Sequence, residues 1–316
     1  MAKDAMSTPS MTRLAEEYLV LRRKLGFALE ATGSVLLNFA RYADRSGHED
    51  PITIELAVRW ARLPQGADPL WWALRLDVVR RFARYRSAID PRTEIPPPGL
   101  LGPSHRRRNP HIYSEGELAA LLGAAGNLPP RDGLRSHTYT TLLGLLASTG
   151  LRVSEALRLD RAHVDLCDGV LTIVETKFRK SRLVPLHPST KIALRAYAER
   201  RDQHHPLMRM GPFFVSAAGR PLPYRTVHCT FDRLRRVLGW AGERGRRPKI
   251  HDLRHTFACR RLLAWYRDGS EIHSKVPTLS VYLGHMSVSD TYWYLTGVPE
   301  LMAIASARFE ASQEVR

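Results

Sequence analysis

The sequence predicts a mainly α protein: an all-helical N-terminal domain, then a mixed, mostly helical domain that carries a small β-sheet. Three observations predict it. The N-terminal third holds four successive runs in which apolar residues recur at helical spacing. A proline- and arginine-rich stretch then breaks the periodicity, and helical runs resume beyond it. Within that second part, residues 170–186 switch to the short period of strands.

In residues 11–26, Met11, Leu14, Ala15, Tyr18, Leu21 and Leu25 share one helical face, with Arg and Glu opposite and Gly26 placed to end the helix. The second run, 31–46, uses Val35, Phe39, Tyr42 and Ala43 and stops at Gly47. The third follows Pro51, from Thr53 to Arg62. The fourth covers 68–88 with Trp71, Trp72, Leu74, Val78, Val79 and Phe82, and Arg75, Arg80, Arg81, Arg84 and Arg86 give it a basic face. These runs set the first domain at residues 1–92. Residues 93–112 combine clustered prolines with Arg106, Arg107 and Arg108, cannot continue a helix, and read as an extended linker.

The second domain spans 113–316. It opens on Ser114 with Glu117 three positions on, the spacing of a capping box. A buried helix over 137–149 ends at Gly150, and a second amphipathic helix begins almost at once, with Arg152 at the junction. The runs 170–175 and 182–186 form a hairpin with Lys177 at its rim and Arg179, Lys180 and Arg182 around it. Helices follow at 188–202 and 224–240, separated by a strand-like Phe213-Phe214-Val215.

Lys and Arg number 48 against 31 Asp and Glu, a formal charge of +17. An excess of this size, spread over both halves, calls for a polyanionic partner, most often nucleic acid, because each neutralised phosphate releases condensed counterions. The plainer reading is a solvated basic surface. Cys167, Cys229 and Cys259 are far apart and form no CxxC, which supports neither a zinc module nor a disulfide framework. The N-terminus lacks a signal-peptide apolar region, and no apolar run approaches a membrane span, so a cytoplasmic protein is expected.

The stretch from His251 to Tyr294 concentrates the chemistry. His251 and Arg254 lie three residues apart at a helix start and point to one face. His285 follows a glycine at the end of a second apolar run, and Tyr294 comes nine residues later in a segment that Ser287 or Ser289 would cap. Arginine clamps phosphate oxygens through paired charge-assisted hydrogen bonds, imidazole moves protons near neutrality, and a phenol can attack phosphorus. That set suits a phosphodiester.

With these residues in view, the chain resembles the tyrosine recombinase (phage integrase) family. TGLRVSE at 149–155 resembles its first arginine motif, giving Arg152 with Glu155 as supporting acid. TKFRKSRLVPL at 176–186 resembles the hairpin of the catalytic lysine, which falls on Lys177. HDLRHTFA at 251–258 matches the His-x-x-Arg box, giving His251 and Arg254, and LGH at 283–285 supplies His285. Tyr294 stands at the family's usual offset, with Tyr292 competing two residues earlier. Two departures are visible: a longer stretch between Arg254 and His285, expected as a loop, and the run TYWYL around the tyrosine.

The resemblance implies a helical core-binding domain and a catalytic domain that together clamp double-stranded DNA. It also implies a homo-tetramer that exchanges strands on two sites, with no cofactor and no metal. Tyr294 would attack phosphorus, two arginines would neutralise the phosphate oxygens, His251 is the best candidate base, and Lys177 would protonate the leaving 5′ oxygen. The helical spacing of Leu301, Ile304, Ala305 and Phe309 fits a terminal helix that packs at home or, as the resemblance implies, on a neighbouring protomer. Arg80, Arg84, Arg106, Arg107, Arg108, Arg179 and Lys180 are the candidate DNA-backbone contacts. Two other functions compete. A metal-dependent hydrolase would use His251, His255 and His285, but the HExxH glutamate is missing. A DNA-binding regulator or inactive relative would not need the full catalytic set.

Overall fold

The computed structural model describes residues 9–48, 51–104, 110–130, 133–174, 181–208, 210–240 and 247–296. Lys177, Arg179, Lys180, Arg106, Arg107, Arg108 and the terminal stretch 299–316 lie outside them. The chain divides into two compact units, Met1–Arg108 and Asn109–Arg316.

The first unit packs α1 (Met11–Lys24), α2 (Glu30–Arg45), α3 (Ile54–Ala61) and α4 (Pro69–Ser87). Local chemistry fixes the helix starts. The side chains of Ser10, Thr53 and Asp68 accept the backbone N–H of Arg13, Leu56 and Leu70, satisfying donors that the first turn leaves free. Leu36, Phe39, Trp60, Val79 and Phe82 are fully buried, each contributing about 1.5–3 kcal/mol of apolar transfer. The Trp60 indole N–H donates to Asn38 at 3.1 Å, so its one polar group is not lost by burial.

The helices stand where their periodicity places them, but two buried faces are rotated from the expected ones. In α1, Leu19 is buried while Leu21 and Leu25 are exposed. In α4, Ala73, Leu76 and Ala83 fill the contact and Trp71 is exposed. Small alanines allow close helix approach, which apolar counting alone undervalues. The basic face of α4 is also partly spent on packing. Arg75 lies 3.8 Å from the Trp60 ring centroid and donates to the Trp60 carbonyl. Arg80 and Arg81 both bind the buried Asp77, whereas Arg84 is exposed. The start of the proline-rich stretch docks on this unit: the Glu94 carboxylate accepts the Ile54 N–H at 2.7 Å, and the Glu94 N–H donates to the Ile52 carbonyl.

The second unit begins with α5 (Glu115–Gly126), whose capping box has Ser114 and Glu117 bonded reciprocally. Next come α6 (Leu134–Thr149) and α7 (Val153–Leu157), which is shorter than its sequence pattern suggests. A three-stranded antiparallel sheet follows: β1 (Val164–Asp165), β2 (Val170–Ile173) and β3 (Arg182–Pro185), in the order β1-β2-β3. β2 and β3 realise the expected hairpin, with Ile173 opposite Arg182. β1 is too short to carry a period and was not expected. Phe213, Phe214 and Val215 are core residues and not a strand; the only pairings there are isolated bridges, Asp160 with Pro212 and Val215 with Pro221.

The remaining helices are α8 (Pro188–His204), α9 (Tyr224–Val237), α10 (Asp252–Arg267), α11 (Ile272–Leu283) and α12 (Ser289–Thr296). The expected long loop after Arg254 is instead mostly helix. α10 continues to Arg267, a turn carries Gly269 at positive φ, and α11 begins at Ile272 with Pro277 inside it. Ile272, Val276, Leu279 and Leu283 give that segment an apolar stripe, which packs with Ala258, Cys259, Leu262 and Tyr294. Burial of the stripe outweighs the helix-breaking tendency of one proline.

Candidate active site

The site is built on the C-terminal end of α11. The last turn of a helix leaves carbonyl oxygens without intrahelical partners and carries partial negative charge. Here three successive carbonyls each hold a guanidinium. Tyr282 O accepts from Arg182 Nε at 2.7 Å, Leu283 O accepts from Arg254 at 2.7 Å, and Gly284 O accepts from Arg152 at 3.0 Å. Gly284 ends the helix at φ 68°, and a Cβ there would meet the Arg182 guanidinium at 2.8 Å. Only glycine fits both demands.

Gly150 plays the matching part at the end of α6. It also has positive φ, a Cβ would lie 2.6 Å from the Phe257 ring, and its carbonyl accepts from Arg254 at 2.8 Å. Arg254 is thereby held between two helix ends with 2% of its surface exposed. Burial, then the charge of Arg152, brings it down to about 10, still a cation at neutral pH.

Glu155 balances the cluster. Its carboxylate accepts from the Arg152 side chain at 2.7 Å and the Arg152 backbone N–H at 3.0 Å, and from both terminal nitrogens of Arg182. Burial alone would raise this carboxyl. The hydrogen bonds and charge of Arg182, followed by those of Arg152, outweigh it and bring the group down to about 2. Arg182 was only a rim residue in the sequence; the structure makes it the brace that joins β3, Glu155 and α11. Its partners lie 27 and 100 positions away, beyond the reach of local pattern. Of the five N–H groups that a guanidinium carries, Arg152 commits its hydrogen bonds to Glu155 and Gly284, and its side chain remains partly open to solvent.

Around these cations stand three imidazoles and the tyrosine. Tyr294 is 3% exposed and Tyr292 37%, so α12 turns the first inward and the second to solvent, as their spacing of about 200° requires. The Ser287 side chain accepts the Ser289 N–H near the start of α12, so of the two serines Ser287 does the capping. His255 Nδ1 lies 3.2 Å from the Tyr294 hydroxyl, and His285 Nδ1 lies 2.7 Å from Thr291 Oγ1. His251 sits one helical turn before His255, its ring edge-on at 4.9 Å between centroids.

Burial, followed by the positive field of Arg254 and Arg152, holds His285 down to about 3; burial, then His251 and Arg254, does the same for His255. His251 is packed on one side and open to solvent on the other. Burial, then the charges of Arg254 and Arg152, lowers it to about 4 and keeps it neutral at pH 7. Burial raises the Tyr294 phenol, with Arg254 and Arg152 opposing. The predicted Arg152, Glu155, His251, Arg254, His285 and Tyr294 thus meet in one place, and Arg182, His255 and Thr291 join them. Among the described residues, no group of three His, Cys, Asp or Glu is arranged to hold a metal ion.

Convergent guanidiniums, imidazoles and a buried phenol are the groups that nucleophilic attack on a phosphodiester would call for. Residues 114–298, more than half of the chain, match the Phage integrase family, and the chain belongs to that family. It is 46% identical over 307 residues to y4rB of Sinorhizobium fredii (strain NBRC 101917 / NGR234), named as an integrase/recombinase, covering 95% of this chain and 97% of y4rB. It is 30% identical over 290 residues to tyrosine recombinase XerC of Chlorobaculum tepidum (strain ATCC 49652 / DSM 12025 / NBRC 103806 / TLS), covering 83% of this chain and 82% of that protein. Its fold matches that of the Tn1549 transposon integrase solved with transposon right end DNA, with a TM-score of 0.70 at 15% identity over 96% of this chain and 99% of that one. Membership supports DNA strand transfer as the chemistry and site-specific recombination as the activity. Among the described residues, no helix is long and apolar enough to cross a membrane.

Proposed function

We propose that this chain is a site-specific recombinase or integrase that cleaves and rejoins DNA through a 3′-phosphotyrosine on Tyr294. The observation that carries this reading is the meeting of Arg152, Arg254 and the Tyr294 side chain at the end of α11. Attack by the Tyr294 oxygen displaces a deoxyribose 5′ oxygen and stores the bond as a phosphoester, so rejoining needs no external energy source. Arg152 and Arg254 stabilise the added charge on the non-bridging oxygens as the pentacoordinate transition state forms. His285, with its Nδ1 occupied by Thr291, presents its other ring nitrogen to the phosphate. Lys177 donates the proton that the leaving oxygen needs. His251, at the open end of the imidazole pair, faces the incoming backbone.

The partner is double-stranded DNA at paired recombination sites, bound by a homo-tetramer, and the protein works at the nucleoid in the cytoplasm. The element served is of the transposon or phage type. A pure DNA-binding regulator is not favoured, since it has no use for a buried Arg254 set beside a buried tyrosine phenol. Selecting sites from random-sequence DNA and then presenting them nicked, in excess EDTA and without ATP, tests the reading. A covalent protein–DNA complex is expected; binding without any adduct would leave the regulator.

Binding itself should be steeply salt-dependent and should need both units. The charge of +17 is spread over both halves, and log K is expected to fall by about 0.9 per phosphate contact per decade of salt. Titration of the full chain and of residues 113–316 on the selected site at several salt concentrations measures this. A flat slope, or full affinity from the second unit alone, would refute it.

A further inference from the structure

We propose that His255 takes the proton from Tyr294 during attack and returns it during rejoining, acting as a catalytic residue distinct from His251. The inference rests on the reading of Tyr294 as the nucleophile. His255 Nδ1 stands 3.2 Å from the phenolic oxygen, a distance at which a base can collect its proton directly. The ring is fixed on three sides, by Tyr294 itself at 5.4 Å between centroids, by Trp293 at 5.6 Å and by the edge of His251 at 4.9 Å. Its position as the fourth residue of α10, next to the buried Arg254, sets it toward the same oxygen that the Arg254 charge faces.

Neither of the other imidazoles is so placed. His285 stacks on the Tyr294 ring at 6.1 Å between centroids and gives its Nδ1 to Thr291. His251 lies behind His255 and opens to solvent. With the proton on Nε2, His255 leaves the Nδ1 lone pair for the phenol, and its lowered basicity keeps that lone pair free at neutral pH.

The step balances. The Tyr294 O–H proton passes to His255 Nδ1 as the oxygen forms its bond to phosphorus, and the phosphorus–oxygen bond to the 5′ deoxyribose breaks. The departing oxygen keeps the electron pair and takes a proton from the general acid assigned to Lys177. In rejoining, a 5′ hydroxyl attacks and returns its proton to Lys177, the tyrosine oxygen leaves and recovers its proton from His255, and no net proton is consumed.

The test follows adduct formation on a nicked site against pH for the wild type, His255→Ala and His255→Asn, with DNA affinity and thermal melting measured beside it. Asparagine keeps an acceptor near the Nδ1 position but cannot hold the proton. The wild-type rate should be nearly flat from pH 6.5 to 8.5. Both variants should bind DNA and remain folded, melting only slightly below the wild type for the lost Tyr294 hydrogen bond, yet form adduct about 100-fold more slowly at pH 7. Their rates should climb about tenfold per pH unit as phenol ionisation replaces the lost base. A wild-type rate in either folded variant, a uniform loss with an unchanged pH profile, or a faster rate showing that the contact only restrains Tyr294 would each overturn the role. Absence of any adduct in the wild type would instead count against the nucleophile reading beneath it.

Discussion

Tyr294→Phe should abolish covalent attachment to DNA while folding and site binding survive. The substitution removes one oxygen from a ring that is otherwise packed among Ala258, Cys259, Leu262 and Leu283. The apolar contacts remain, and the lost hydrogen bond to His255 should cost about 1 kcal/mol. Among the described residues, no other phenol is positioned to substitute. Tyr292 faces solvent from the opposite side of α12, and Tyr292→Phe should keep adduct formation within about an order of magnitude, roughly 1.4 kcal/mol in the barrier. Single-turnover trapping on a nicked site, with circular dichroism melts of both variants, checks the pair. An adduct persisting in Tyr294→Phe would overturn the register of the whole terminal helix.

Glu155→Gln should be the most damaging change outside the reacting groups. Among the described residues, Glu155 is the one carboxylate bonded to both Arg152 and Arg182, and the Arg182 side chain is buried. Removing one partner of a buried ion pair leaves an uncompensated charge and typically costs about 3–5 kcal/mol. For a domain of this size that lowers the melting temperature by roughly 10 °C. Strand transfer should fall further than stability does, because Arg152 loses the brace that sets its fork. The same carboxylate fixes a pH window. Its pKa is depressed from 4.5 to about 2, so the stability it adds is fully present above 4.5 and disappears as pH falls toward 2. Melting curves between pH 7 and 3 should therefore lie apart for wild type and variant at neutral pH and converge in acid. Parallel curves would mean that Glu155 does not carry the cluster.

Much of the fold was legible because its signals are local. The Ser114–Glu117 box and Gly150 closing α6 each act within a few residues. The rotated face of α1 was not legible, since Leu19 and Leu21 are equally apolar and only the packing of α2 and α4 chooses between them. The segment after Arg254 read as loop because Pro277 and Gly269 are strong breakers, yet its apolar stripe had a surface to cover. In the site, the spacing of His251 and Arg254 was visible as one helical face. His255 follows Arg254 by one residue, about 100° around the helix, and that spacing gives no hint that its ring meets a tyrosine 39 positions later. Arg182 was hidden for the same reason: its role exists only once β3 and the end of α11 lie side by side. The clustering of cations on three helix-end carbonyls is a tertiary fact with no sequence period.

The chemistry turns on which atom joins the DNA. Wild-type protein trapped on a nicked site in excess EDTA, digested, and mapped by mass spectrometry identifies that atom directly. The predicted result is a nucleotide-bearing phosphate on the peptide containing Tyr294, fragmenting to that residue, with yield unchanged by EDTA. Phosphate on Tyr292, or cleavage that disappears with the chelator and leaves no adduct, would contradict it.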